Sequence, residues 1–486
     1  MSECWTPDLL PFTSPFGASL LAPEQILALQ QGTLHLLQEV GVHVPSHRAL
    51  EIFFDAGAPV DWQSQIVRLP PDLVRRAMST APRAFTLGGR EERFDLWLDG
   101  SRSYLCTDGT GVRTVDPESR EVRPSCKADV AMMARVCDAL PLVSFFWPPV
   151  SAQDYGPTAA LHQCHAGLSN TLKHVRGGMT VPPYLASYAV EMATVVAGSE
   201  EARRARPPIC ANICTIAPLA HDRDGIKTAL VYAGAGIPVS MMAMTTMGST
   251  APATPLGALV TGDAEVISGL VLLQLAHPGA PVFHSIVASL MDPRTGGYIG
   301  HLPLPLALMA VELAHAWGVP SLGGGSVSSD APEPGWQSGM EAGLGAAMIP
   351  LCGAEICGFL GLLDGAMTLL PEQILLDYEV CQNTYDLFGG FAFGEADLAL
   401  DVVAQVGPRG HFLRQKHTRQ HIRDFRLSRL LRQKSADGAL RDPQEVAREE
   451  FRRIREQHRP RPLPGPVQAE LDRILAAAER QSARQP

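Results

Sequence analysis

The chain has 486 residues, 46% apolar and 19% charged, with a net charge of −10 and a pI near 5.8. That balance suits a folded protein with an ample core, long enough for one large domain of about 250 residues or more with additions, and it argues against nucleic acid as a main partner. Ten cysteines scattered through so long a chain fit reduced thiols better than a disulfide framework.

The first residues, "MSECWTPDLLPFTSPFG", carry no basic segment and no long apolar core, so no signal peptide is predicted. The longest greasy stretches are broken by Thr, Ser and Pro; no membrane span and a cytoplasmic location are expected. Residues 23–56 predict two amphipathic helices. Ile26, Leu27, Leu34, Leu37 and Val40 recur near helical spacing, and "GVHVPSHRAL" breaks and restarts the pattern. "QIVRLPPDLVRRAMSTAP" reads as strand, turn and helix. "AFTLGGR", "FDLWLDG" and "GVRTVDPESREVRP" read as short strands or hairpins. Residues 1–102 are therefore expected to form an α+β extension.

From residue 103 the pattern becomes regular. Short apolar runs occur at "SYLCTDG", "LVSFFWPPV", "KHVRGGMT", "PPICANICTIA", "IPVSMMAMTT", "APVFHSIVAS", "VPSLGGGSVS" and "EICGFLGLLDG". Each precedes a longer segment with helical periodicity, such as "ADVAMMARVCDAL" or "LALMAVELAHAWG". Runs without alternation suit strands buried on both faces, and strand–helix alternation implies a parallel sheet. Eight such units predict an α/β fold, a (β/α)8 TIM barrel over residues 103–395. A doubly wound open sheet is the alternative. Residues 396–486 are charged and helix-prone, broken by "RPRPLPGP", and predict a C-terminal helical arm.

In a barrel the site lies at the C-terminal ends of the strands. That filter selects Asp108 after the first strand, and Trp147, Gln153 and Tyr155 after the second. Gly177, Gly178 and Thr180 follow from the third strand, Asn212 and Cys214 from the fourth, and Met244 to Thr246 from the fifth. The sixth gives His284 and Ser285, the seventh Gly323 to Ser326, and the eighth Phe359 and Asp364. For most of these, ordinary loop or core duty is the competing reading. No HExxH, GxSxG or paired CxxC is present. "His162-Gln163-Cys164-His165" holds possible zinc ligands, but a metal site draws its ligands from separated elements; no metal site is expected. Cys352 and Cys357 read as core thiols.

Several segments carry a resemblance: "LHLLQEVGVHVPSHRALEIFFDAGAPVD", "GIPVSMMAMTTMGSTAPATPLGALVTGDAEVISGLVLLQLAHPGAPV", "GGGSVSSDAPEPGWQSGMEAG" and "LDVVAQVGPRGHFLRQKHTRQHIR". In this order, over roughly residues 20–430, they resemble the trimethylamine methyltransferase family of corrinoid-dependent methyltransferases. The resemblance implies a (β/α)8 barrel. Archaeal members carry pyrrolysine; this chain has only standard residues and is similar to the branch without it, whose members act on quaternary amines such as glycine betaine. A quaternary ammonium already carries a positive charge, so cob(I)alamin can take its methyl without a covalent protein nucleophile. The protein would hold the cation, align it and exclude water.

The implied function is methyl transfer from a quaternary or other methylated amine to the cob(I)alamin of a separate corrinoid protein. No cofactor is expected on this chain itself, and "D-x-H-x-x-G" does not occur. Self-association is expected. Within the Gly-rich stretch Asp330 and Gln337 match the family pattern, while Pro332 stands where family members often have Lys and Trp336 where they commonly have a small residue. His284 and Asp330 are the catalytic candidates. Asp108, Trp147, Tyr155, Asn212, Gly324, Gly325, Ser326, Trp336 and Gln337 are the substrate-binding candidates. Asp330 could instead cap the following helix, and Trp336 could anchor it. Another barrel enzyme (a zinc-thiol methyltransferase or a lyase) and a non-catalytic binding protein on the same scaffold are the alternatives.

Overall fold

The computed structural model describes residues 5–13, 18–109, 111–178, 182–300, 304–389, 394–424 and 427–484. Thr180, a candidate from the third strand end, lies outside them. Each of the eight apolar runs forms a strand: β1 (Tyr104–Thr107), β2 (Val143–Phe146), β3 (His174–Gly178), β4 (Ile209–Ile216), β5 (Val239–Ala243), β6 (Val282–Ile286), β7 (Leu322–Ser326) and β8 (Ile356–Leu360). After them, in the same order, come α1 (Lys127–Asp138), α2 (Ala159–Asn170), α3 (Pro183–Ala197), α4 (Arg223–Gly234), α5 (Pro255–Ala276), α6 (Leu304–Ala316), α7 (Trp336–Cys352) and α8 (Gln373–Phe388).

The fold is mixed α/β with a parallel sheet. β1 to β6 pair in sequence order, all parallel. β7 pairs with β8, and β8 pairs with β1. A parallel bridge between His284 and Ser321 links β6 to the residue before β7.

Paired residues on adjacent strands point to the same face. One face meets the helices through side chains such as Val175, Ala211, Val239 and Val282. The opposite face carries a separate cluster that includes Tyr104, Phe145, Trp147, Cys210, Met242, Phe283, Leu322, Ile356 and Phe359. An antiparallel hairpin from the preceding segment, Phe85–Leu87 with Leu96–Leu98, inserts the fully buried Leu87, Leu96 and Leu98 into this cluster. Phe85 meets Phe283 edge-on at 5.0 Å. The hairpin packs with residues at the N-terminal ends of the strands, so the C-terminal ends are left for a ligand.

The expected N-terminal helices are present as Pro23–His35 and His47–Asp55. The hairpin expected in "GVRTVDPESREVRP" forms: Arg113–Val115 pairs antiparallel with Val122–Pro124, between β1 and α1. Arg113–Val115 also pairs in parallel with Thr368–Leu369 after β8, over the strand C-termini. A second small sheet there joins Thr246–Met247, Ser289–Met291 and Tyr298–Ile299.

Helix α5, 22 residues, is long and apolar enough to cross a membrane, yet most of it is buried inside the fold. Its polar groups are matched internally: Glu265 accepts from Thr215 Oγ1 at 2.5 Å and from the Leu219 amide at 3.0 Å, and Ser268 Oγ lies 2.8 Å from His221 Nε2. That is the pattern of a core helix. At the C-terminus, helices Pro443–Gln457 and Gly465–Ser482 pack on α8 and α1 and on α3 and α2. His458 Nε2 meets Asp138 Oδ2 at 2.8 Å, and His165 Nε2 meets Asp472 Oδ1 at 2.8 Å.

Candidate active site

A cavity of about 240 Å³ opens at the C-terminal ends of the strands. Asp108, Trp147, Asn212, Cys214, Met242, Gly323, Gly324, Ser326, Ser328, Asp330 and Phe359 contribute to its wall, with Tyr298 and Gly300 from the rim. Six substrate-binding or catalytic candidates therefore meet in one place: Asp108, Trp147, Asn212, Gly324, Ser326 and Asp330. The volume suits a small molecule rather than a large one.

Trp147 is held from its backbone and from its ring. Its amide donates to Thr107 Oγ1 at 2.8 Å, and that hydroxyl donates to the Trp147 carbonyl at 2.5 Å. Gly109 lies against the indole, where any Cβ would come within 2.0 Å of the ring nitrogen. Phe359 meets the indole edge-on at 6.1 Å. Two aromatic faces thus share the wall with carboxylates, the pairing expected for a cation that donates no strong hydrogen bond.

Asp108 accepts from the Gly109 amide at 2.8 Å and from the Ser328 hydroxyl. Asp330 Oδ2 accepts from the Gly300 amide at 2.9 Å. The loop carrying Asp330 is tied to α7 by Glu341, which accepts from Ser329 Oγ at 2.5 Å, from the Asp330 amide at 3.0 Å and from Gln337 Nε2 at 2.9 Å. Burial, with the charges of Asp330 and Asp108, pushes the Tyr298 phenol up to about 12. Tyr298 is therefore a neutral hydroxyl beside two carboxylates at ordinary pH.

Five candidates stand elsewhere. His284 is turned to the helix-facing side of β6, where Nε2 lies 2.7 Å from Asp263 Oδ1 on α5; strand alternation points it away from the cavity. Tyr155 stacks on His162 with ring centroids 3.4 Å apart, outside the wall. Trp336 is 82% exposed at the first position of α7 and neither faces the cavity nor anchors the helix. Gln337 serves Glu341 instead of a ligand. Gly325 faces α7, where a Cβ would lie 2.2 Å from the Gly345 carbonyl oxygen. Its bare backbone lets the helix approach. The capping alternative for Asp330 also fails, because the N-cap of α7 is Gly335.

Gly324 differs from Gly325. Its φ of +87° is left-handed backbone, and a Cβ would come within 2.8 Å of Cys352 Sγ. Sequence reading missed Arg176, whose Cζ lies 3.6 Å from the centroid of the Trp147 ring, as well as Tyr298 and Ser328. A charged residue inside the apolar run "KHVRGGMT" was the signal for Arg176. Tyr298 comes from a rim strand of two residues, too short to leave one.

Among the described residues no three His, Cys, Asp or Glu side chains converge as a metal-binding group. His162 and His165 of the possible zinc set are directed to Glu479 and Asp472 on the last helix.

An α/β protein with a small polar-aromatic cavity at parallel strand ends is the class defined by this geometry. Comparison with known proteins makes the class specific: the family model for trimethylamine methyltransferase (MTTB) matches residues 13–483. The chain belongs to that family. It is 33% identical to the trimethylamine methyltransferase MttB of Desulfitobacterium hafniense, over 96% of this chain and 95% of that protein. It is 29% identical to the Methanosarcina barkeri trimethylamine methyltransferase MttB over 95% of each chain. The glycine betaine methyltransferase of Desulfitobacterium hafniense is 28% identical over 84% of this chain and 85% of its own length.

Proposed function

We propose that this chain transfers a methyl group from a quaternary or other methylated amine, bound in the strand-end cavity, to the cob(I)alamin of a separate corrinoid protein. One observation carries the reading: in a member of this family, two carboxylates and three aromatic side chains (Trp147, Tyr298 and Phe359) line one cavity of about 240 Å³. We read the cyclic strand pairing as a (β/α)8 barrel, with residues 1–102 and 396–486 as additions to a barrel of 103–395.

The reacting bond is N–CH3. It breaks with its electron pair left on nitrogen, so a quaternary amine leaves as a neutral tertiary amine with no proton transfer. The reduced corrinoid supplies the nucleophile. The residues of this chain have other tasks. Asp108 and Asp330 offset the ammonium charge, and the Trp147 and Phe359 rings cover its apolar methyl surface. Met242 and Trp147 belong to a largely apolar wall, and a low-dielectric surround strengthens these charge interactions.

The cavity is far too small for a corrinoid, and among the described residues no histidine lines it. This supports a corrinoid carried by a partner that docks over the strand ends. A cytoplasmic location and self-association belong to the same reading; light scattering of the purified protein tests the second. The central test is methyl transfer to a reduced corrinoid protein from a panel of methylated amines. Transfer from at least one amine is expected. No transfer from any, with folded protein and an active corrinoid partner, overturns the reading.

A further inference from the structure

Residues 394–424 form an arm that contains two short helices, Leu400–Val406 and Lys416–His421, and none of the arm's residues is buried. Leu398, Leu400, Val403, Phe412, Leu413 and Ile422 all stand exposed, Leu400 at 66% and Leu413 at 77%. Helices shorter than about 12–15 residues are marginal alone in water and gain their stability by laying an apolar face on something. The helices that follow show the contrast. Pro443–Gln457 buries Phe451 and Ile454, and Gly465–Ser482 buries Leu471 and Ile474. The arm has the apolar side chains for such packing and lays none of them down.

Its charge points to what covers it. Residues 407–434 hold nine Arg and Lys against one Asp, whereas the other residues of the chain hold 31 against 49. A basic strip thus belongs to an otherwise acidic protein, and every other copy of the chain offers a surface of opposite sign. One face of the body matches the strip in apolar character as well. Phe54, on the helix His47–Asp55, is exposed, and its ring meets the exposed Trp62 edge-on at 5.8 Å. Glu51 stands one turn before Phe54, Asp55 follows it, and Asp61 precedes Trp62; residues 39–62 hold four Asp and Glu against one Arg. An exposed apolar patch rimmed by polar groups marks a protein contact. Aromatic rings edged by carboxylates complement aliphatic side chains edged by guanidinium groups.

We propose that residues 394–424 dock on the Phe54–Trp62 face of a second copy, so that the chain assembles by exchanging arms. This gives the self-association proposed above its surface and stands apart from methyl transfer, since neither the cavity nor a corrinoid enters it. A standard interface uses about 20–30 residues a side, and an arm of this length supplies them. Arm and acceptor are different patches, so in a closed assembly each copy both gives and receives an arm.

The test is sedimentation of the full chain over a range of concentrations, with circular dichroism to confirm that each variant is folded. The unaltered protein should be an oligomer. Leu400→Asp with Leu413→Asp, which changes only exposed side chains, should weaken association at least about tenfold. Arg414→Glu with Arg419→Glu should weaken it too, as should Glu51→Lys with Asp55→Lys. Mixing these two charge-reversed proteins, or combining the four changes in one chain, should restore most of the loss, which a merely damaged fold would not do. A monomer at every concentration overturns the proposal and leaves the methyl-transfer reading standing. An oligomer undisturbed by the Leu400 and Leu413 changes places the contact elsewhere and overturns it. Loss with the arm changes but none with the Glu51 and Asp55 changes, or no restoration on combining them, overturns the acceptor face. A monomer that retards single-stranded DNA through Arg414 and Arg419 overturns self-association in favour of a nucleic-acid contact.

Discussion

His284 Nε2 lies 2.7 Å from Asp263 Oδ1, and both side chains are completely buried between β6 and α5. Asp263 Oδ2 also accepts from Thr33 Oγ1 at 2.5 Å and from Trp317 Nε1 at 3.1 Å. One carboxylate thus joins the sheet, two core helices and the N-terminal helix. His284→Ala should cost about 3–5 kcal/mol, the usual penalty for breaking a buried pair from one side. Chemical denaturation measures this. Methyl transfer per folded molecule should match the parent; a large loss of turnover with stability intact would return His284 to the catalytic site.

Asp330→Asn keeps an oxygen for the Gly300 amide and removes the charge. Affinity for a quaternary ammonium should fall about tenfold, equivalent to about 1.4 kcal/mol, with the melting temperature almost unchanged. Trp336→Ala serves as the companion control. That side chain is 82% exposed, so stability should move by less than about 0.5 kcal/mol, with no effect on binding. Reversal of the two results would exchange their assignments.

The contact between β7 and α7 depends on two glycines that face each other. A Cβ on Gly345 would lie 1.6 Å from the Ser326 carbonyl oxygen. Gly345→Ala should therefore force the helix off the sheet, costing at least about 1–3 kcal/mol and displacing the Asp330 loop. Gly339→Ala, on the same helix with nothing within 4 Å of the new Cβ, should instead stabilise by about 0.4–1 kcal/mol. Thermal melts of the two variants should shift in opposite directions.

Burial lowers His174 to about 3 and His221 to about 4, against an ordinary 6.5. Both are neutral in the folded protein at neutral pH. The unfolded chain takes up a proton at each below about pH 6.5, so it binds more protons than the fold in the window from there down to the folded values. Their stability contribution is complete above that window and is lost as pH falls through it. By pH 5 each histidine should have removed about 2 kcal/mol. Urea unfolding at a series of pH values measures the slope, and His221→Gln should remove one histidine's share.

Sequence reading recovered the strands because strands covered on both faces are short apolar runs whatever surrounds them. The same property hid which way each side chain points. In "VFHSI" both faces are apolar neighbours, so nothing local says that His284 looks toward the helices while Phe283 looks away. The glycines show the limit at finer scale. "GGG" marked the strand end, but Gly324 needs its φ and Gly325 needs its clearance from α7, and both requirements come from elements distant in sequence. Asp108, Trp147, Asn212 and Asp330 were legible because residues at strand ends converge by topology alone. Tyr298 was not, since it depends on the pairing of rim strands only two or three residues long.

The hairpin that carries Leu87, Leu96 and Leu98 has a consequence for how the molecule is made. It leaves the ribosome before any of β1 to β8, yet its three leucines share a cluster with Tyr104 near the beginning of the sheet and with Leu322 and Ile356 near its end. Until those last strands are synthesised, part of the hairpin's greasy side has no partner and must wait in water or in the care of a chaperone. A segment translated before the sheet is thus among the last to be fully buried. A chain truncated before Leu322 would hold this apolar surface uncovered, and a sheet expressed from Ser103 onward would lack the plug that keeps its inner face dry.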